Sequence, residues 1–306
     1  MSDSGGVLTY RSANPFELVH VLHHLSAAPE QPMFGMLILP EKPAREPLPA
    51  VVCLHGSMGW RGHHHEHMVR WLERGIAVFR VHSFEARRVA SVVEDQLAVT
   101  MSMMLVDAYR ALELLATQPR IDRERIGVTG WSLGGSVALY SAWEPVREAL
   151  APAQRFAAHL PFYPAAHLRM EEARWSPAPI RVLHGDADDY TPAHFASELA
   201  EELRPLGVHI DVTRYANGHH SFDSIEPLAW LPKALRLGKR TTTVGRDGRS
   251  FTTASDGTKR YVDEPSQRAA SFAAAGNRGA HVGGSWEARR TVFADAADFF
   301  AQQLIR

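Results

Sequence analysis

Short apolar runs rich in β-branched residues alternate along the chain with longer segments of helical periodicity. Met36–Leu39, Ala50–Leu54, Ile76–Val81, Ile126–Thr129, Phe156–Leu160, Ile180–Leu183 and Ile210–Tyr215 read as strands. Several are apolar at successive positions, the pattern of parallel strands covered on both faces. Helical spacing predicts helices over His65–Arg74, Glu94–Thr117, Ser136–Trp143, Ala193–Arg204 and Trp286–Leu304. The alternation predicts one doubly wound α/β domain over residues 1–306, its mostly parallel sheet sandwiched between helices.

Two stretches stand outside the alternation. Residues 1–30 are expected to be an N-terminal extension. Residues 233–284 carry Gly245, Gly248, Gly257, Gly276, Gly279, Gly283 and Gly284 and few long apolar runs. They predict a loop-rich excursion, with a small hairpin around Arg249–Tyr261, because they offer too little apolar material for a core of their own. Met101, Met103, Met104 and Leu105 fall inside a predicted helix and are read as core.

Composition narrows the partners. The formal net charge is −1, so no global field favours nucleic acid or an anionic membrane. Seventeen histidines would make the chain clearly cationic only in mild acid, near the imidazole pKa of about 6.5. Cys53 is the sole cysteine, so no disulfide forms within the chain. The first residues have neither a basic nor an apolar signal region, and no apolar run nears the ~20 residues that span a bilayer. A cytoplasmic protein is expected.

The chemistry centres on Gly130-Trp131-Ser132-Leu133-Gly134-Gly135, between a predicted strand and an apolar helical run. Strand, G-x-S-x-G, then helix is the context in which a tight turn lifts a serine to the top of a sheet as a nucleophile. Alone, the pattern also describes a glycine-rich packing turn. A hydrolytic serine needs a base, an acid and oxyanion donors, in the chain order Ser, Asp or Glu, His. After Ile180–Leu183 comes His184-Gly185-Asp186-Ala187-Asp188-Asp189-Tyr190-Thr191-Pro192. Asp188, three past the glycine and four before the proline, is favoured as the acid; Asp189 and Thr191 suit helix capping. After Ile210–Tyr215 comes Gly218-His219-His220-Ser221-Phe222-Asp223, in which His220 is favoured as base over His219. Oxyanion donors are expected from the N–H groups of Leu133 and of Ser57, in His55-Gly56-Ser57-Met58 after Ala50–Leu54. Trp131 and Met58 are candidates to touch substrate. Three loops agree in residue type, order and strand-end position, which favours catalysis over a packing turn.

With these residues in place, the chain resembles the dienelactone hydrolase-like branch of the α/β hydrolases. The matching stretches are LHGSMGW, WLERGIAVFRVHSF, GWSLGG, HGDADDYTP, GHHSFD and RGAHVG, from about Met33 onward. The resemblance implies an α/β-hydrolase fold and a small-molecule ester or lactone as substrate. It also implies a carboxylate-holding arginine near Arg87 and Arg88, with a solvated surface pair as the bland alternative. The founding dienelactone hydrolases use a cysteine nucleophile and a glutamate beside the oxyanion loop. Here Ser132 and Gly56 stand in those positions, and His82 replaces an acidic residue after a strand. These departures point to ordinary serine ester hydrolysis. No cofactor is implied.

His63-His64-His65-Glu66-His67 invites a metal reading, since His63 and His67 share a helix face at i, i+4. The H-E-x-x-H pattern is missing, so these residues are expected to line the cleft or face water, and no metal is assigned. A thioesterase or peptidase would use the same triad. A non-catalytic binding module on the same fold would have no need of all three residues.

Overall fold

In the computed structural model the described residues are 5–41, 46–238, 240–275 and 278–305. Gly276 and the first four residues of the expected extension lie outside them. The chain begins β1 (Gly6–Ala13), α1 (Leu18–His23), β2 (Glu30–Ile38), β3 (Leu48–Leu54), α2 (Gly62–Glu73), β4 (Ala77–Val81), α3 (Ser83–Ala86) and α4 (Met101–Ala116). It continues β5 (Ile121–Trp131), α5 (Leu133–Tyr140), α6 (Glu144–Leu150), β6 (His159–Phe162), β7 (Leu168–Met170), β8 (Ile180–Gly185), α7 (His194–Leu203) and β9 (Ile210–Tyr215). The last third holds β10 (Ala229–Leu235), β11 (Thr242–Val244), β12 (Ser250–Thr253), β13 (Lys259–Tyr261), α8 (Pro265–Ala275), β14 (Arg278–Val282) and α9 (Trp286–Leu304).

The main sheet has the order β1-β2-β4-β3-β5-β6-β8-β9. β2 runs antiparallel to β1 and β4, and the strands from β4 to β9 pair in parallel. Helices cover both faces, as in the α/β-hydrolase fold. Strand order reverses at β3, with β4 on one side and β5 on the other. Such a switch point opens a crevice at the carboxyl ends of the strands, where ligands bind in open α/β sheets.

The doubly apolar strands predicted from the sequence feed two cores. Ala50, Val52 and Leu54 of β3 pack on one face with α1, α4, α5, α6 and α7. Val51 and Cys53, pointing the other way, pack with Met68 and Trp71 of α2 and with Val292, Ala296 and Phe300 of α9. Period-two alternation puts successive residues on opposite faces, so a strand buried on both must be apolar throughout. No helix among the described residues is long and apolar enough to cross a membrane.

Several boundaries differ from the sequence reading. Within the segment expected to be an extension, Gly6–Ala13 form an edge strand, with Gly6 opposite Leu37 and Ala13 opposite Glu30. Its polar residues serve that place: Ser12 Oγ donates to the buried Asp107 of α4 at 2.6 Å, and Tyr10 Oη donates to the Asp107 carbonyl at 3.3 Å. The helix expected from Glu94 starts at Met101, where the Thr100 hydroxyl accepts from Met103 N–H and caps it. The strand expected over Phe156–Leu160 is shifted to His159–Phe162. The excursion contains the expected hairpin, β12 against β13, and more besides. β11 and β12 join β7 in a small sheet, while β10 pairs with β14.

The core holds neutral imidazoles. Burial drives His55, at the end of β3, down to about 4, and does the same to His159 at the start of β6. His159 Nδ1 lies 3.0 Å from the Ala138 carbonyl and 3.1 Å from Ser141 Oγ, contacts that suit a neutral ring. In the unfolded chain both titrate near 6.5, so between pH 6.5 and 4 the unfolded state binds more protons. Stability therefore falls as pH falls through that window, by on the order of 3 kcal/mol per ring at its full extent. Urea unfolding should show a clear drop in stability from pH 7 to pH 4.5; an unchanged midpoint contradicts neutral burial.

Candidate active site

β5 passes straight into α5 through Ser132, which holds φ 55° and ψ −110°. A side-chain-bearing residue adopts such a conformation only where its surroundings compel it. Here Ser132 N–H donates to the Phe162 carbonyl at 3.0 Å and its own carbonyl accepts from Ser136 N–H at 2.8 Å. The flanking glycines are required by contact. A Cβ on Gly130 would stand 2.3 Å from the Gly134 carbonyl oxygen, and one on Gly134 would stand 2.3 Å from that of Leu54. The close approach locks the elbow onto β3 and leaves Ser132 and Leu133 half-buried, within reach of a ligand.

The loops after β8 and β9 bring the other two expected residues to this serine. Ser132 Oγ lies 2.9 Å from His220 Nε2, and His220 Nδ1 lies 2.8 Å from Asp188 Oδ2. With Nδ1–H donated to the carboxylate, Nε2 is left to accept the serine proton. Asp188 is anchored in turn: its Oδ1 accepts Tyr190 and Thr191 N–H, each at 2.8 Å. Burial alone would push the Asp188 carboxyl up. The His220 charge and hydrogen bonds from His184 and His220 outweigh it and hold the group well below the usual carboxylate range. This is a serine-hydrolase-type triad network.

The two segments expected to supply oxyanion donors both adjoin the serine. Leu133 N–H is the first of α5, one of the amides a helix leaves without an internal partner. The Ser57 turn abuts the elbow, since a Cβ on the preceding Gly56 would lie 3.4 Å from Ser132 Cβ and 3.1 Å from the Trp131 carbonyl oxygen. Val92 N–H donates to the Ser57 carbonyl at 2.9 Å and braces that turn. Met58, half-buried, packs with Val93 and Leu231 against Tyr190, Ala280 and Val282. The Tyr190 ring lies 4.6 Å from that of His220, so β10 and β14 of the excursion wall the site.

Two expected substrate contacts are placed elsewhere. Arg87 is tied up inside the fold: its guanidinium meets Asp107 at 2.7 and 3.0 Å, Asn14 at 2.7 Å and the Ser83 carbonyl at 3.0 Å. Its side chain is 6% exposed and Asp107 is fully buried, so the pair is structural. Trp131 is also fully buried, pointing, like the backbone at Gly127, into the core under α2 and α9. Its indole N–H donates to Asp223 Oδ2 at 3.1 Å.

Asp223 closes the GHHSFD stretch, yet sequence reasoning assigned it no role. Its carboxylate accepts from Tyr163 Oη at 2.9 Å and contacts His67 Nε2 at 3.1 Å, with His63 at 3.8 Å. Burial opposes its ionisation, but His63 and hydrogen bonds from His67 and Tyr163 hold it at about 2. His63, His64 and His67, expected to line the cleft or face water, are buried instead, and burial lowers all three. They form a floor beneath the elbow. Tyr163, at φ 35°, links that floor to the base, its ring 4.8 Å from His220. The one legible sign was a carboxylate three residues past the histidine.

The profile of the dienelactone hydrolase family matches residues 33–229. Among solved structures, a dienelactone hydrolase-like promiscuous phosphotriesterase from metagenomic libraries is 17% identical over 98% of this chain and 99% of its own, with TM-score 0.52. That likeness is one of fold. A propionate-bound thermophilic esterase from the Planctomycetes species Thermogutta terrifontis is 20% identical over 62% of this chain and 80% of its own, with TM-score 0.49.

Removing Arg87 strands the Asp107 charge in the interior. Arg87→Ala should cost about 3–5 kcal/mol in chemical unfolding. The relative turnover of esters with and without a second carboxylate should stay as it was. An unchanged unfolding midpoint with selective loss of the carboxylate-bearing ester would restore Arg87 as a substrate contact.

Proposed function

The chain belongs to the dienelactone hydrolase family, and from that footing we propose that it hydrolyses small carboxylic esters, lactones among them, through an acyl-enzyme on Ser132. The observation that carries this reading is the unbroken hydrogen-bonded line from Ser132 Oγ through His220 to Asp188. A serine hydroxyl is a poor nucleophile at neutral pH, so its proton must leave as the bond to the carbonyl carbon forms. His220 Nε2 takes it, and Asp188 stabilises the imidazolium and holds the ring in the productive tautomer. The Ser57 and Leu133 N–H groups stabilise the oxyanion that develops on the carbonyl oxygen. His220 then returns its proton to the leaving alkoxide, and water, deprotonated by the same nitrogen, releases the acid.

Cys53 is no rival nucleophile. It is fully buried in β3, and burial raises its thiol well above the usual range. A reducing, cytoplasmic setting suits a chain whose single cysteine is packing material.

Ser132→Ala should lower kcat on p-nitrophenyl acetate and butyrate by about 10³-fold or more while binding persists. In the parent, oxyesters should turn over faster than matched thioesters and peptide amides. Undiminished turnover by the variant refutes the assignment, and a preference for amides or thioesters moves the substrate class.

A further inference from the structure

We propose that Asp189, His219 and His281 form a binding site for a first-row divalent transition metal of the zinc type, beside the triad and distinct from it. One possible ligand atom from each residue lies within 4.8 Å of those from the other two. The three come from separate segments: Asp189 from the loop after β8, His219 from the loop after β9, and His281 from β14.

The backbone holds these segments together. His281 N–H donates to Asp189 Oδ1 at 2.8 Å, and His281 Nδ1 lies 2.8 Å from Oδ2. Gly283 N–H donates to the His220 carbonyl at 2.9 Å, and Val282 forms a parallel bridge with His220. The site is thus largely formed before any ion arrives. His219 supplies the second, independent sign. Its Nδ1 is buried and has no hydrogen-bond partner among the described residues, and its ring centroid lies 5.6 Å from that of His281. Buried polar atoms are nearly always satisfied, and an imidazole with one nitrogen left unpartnered, grouped with a second imidazole and a carboxylate, suits a cation.

Two imidazoles and one carboxylate match Zn²⁺, Co²⁺ or Ni²⁺ and do not match Mg²⁺ or Ca²⁺, which prefer all-oxygen sets. All three residues are half-buried, so an ion can enter from solvent. Bound there, it cross-links the acid loop, the base loop and β14, one residue away from both Asp188 and His220. Its effect is to hold the acid and base at their spacing. The site is read by binding rather than turnover, so it stands or falls separately from the role of Ser132.

The test is calorimetric titration of the EDTA-treated full chain with ZnCl₂, alongside Co²⁺ absorption spectra. The expected result is one tight Zn²⁺ per chain, visible Co²⁺ bands, and a thermal midpoint raised by roughly 4 °C at a hundredfold excess over Kd. His281→Gln and Asp189→Asn should each weaken binding at least tenfold. His24→Ala, in the exposed histidine cluster after α1, should leave it unchanged. Absence of stoichiometric binding to the parent overturns the site, as does equal affinity across all four proteins. The parent's Co²⁺ spectrum decides even if a variant folds poorly.

Discussion

The backbone at Ser132 is the constraint around which the rest of the structure is arranged. At φ 55° and ψ −110° the residue sits where a side chain is disfavoured, and the chain turns from strand to helix without an intervening loop. Nothing local to the serine makes that conformation favourable. It is held from outside, by the Phe162 carbonyl of β6 on one side and by the approach of Gly134 to β3 on the other. The parallel sheet is therefore the apparatus that sets the serine, and the loops leaving β8 and β9 reach it because those strands end at the same level.

Two buried carboxylates divide the remaining task. Asp188 touches the base directly and is held by two backbone amides, so its position is fixed before substrate arrives. Asp223 touches neither serine nor base. It gathers Trp131, Tyr163 and His67 under the elbow, and Tyr163 carries that order up to the His220 ring. A buried carboxylate with several donors is costly to disturb, and a network so satisfied makes the site rigid. The excursion adds an outer wall, since β14 bridges the base loop and contacts the acid loop through His281.

How much of this was legible depended on sequence distance. The strands of the sheet centre were readable because burial on both faces demands unbroken apolar runs. Ser132, Asp188 and His220 were readable because each stands at a fixed offset from such a run. β1 was missed because an edge strand with one solvated face alternates polar and apolar residues too weakly against its neighbours. The pairing of Arg87 with Asp107 was not legible because Asp107 lies on α4, and no local pattern announces an ion pair between them. Trp131 is the last residue of β5 and points into the core, and the elbow that follows turns Ser132 out of the strand, a change of direction that adjacency in sequence does not show. The role of Asp223 depends on His67, 156 residues away, a pairing that only the folded chain creates.

The most direct test of the account is to label the folded protein with a fluorophosphonate and map the modified peptide by mass spectrometry. The geometry predicts a single adduct, on Ser132, formed quickly in the parent and lost or greatly slowed in His220→Ala. An unlabelled parent, or an adduct on any other residue, would contradict the claim that the elbow serine is the nucleophile.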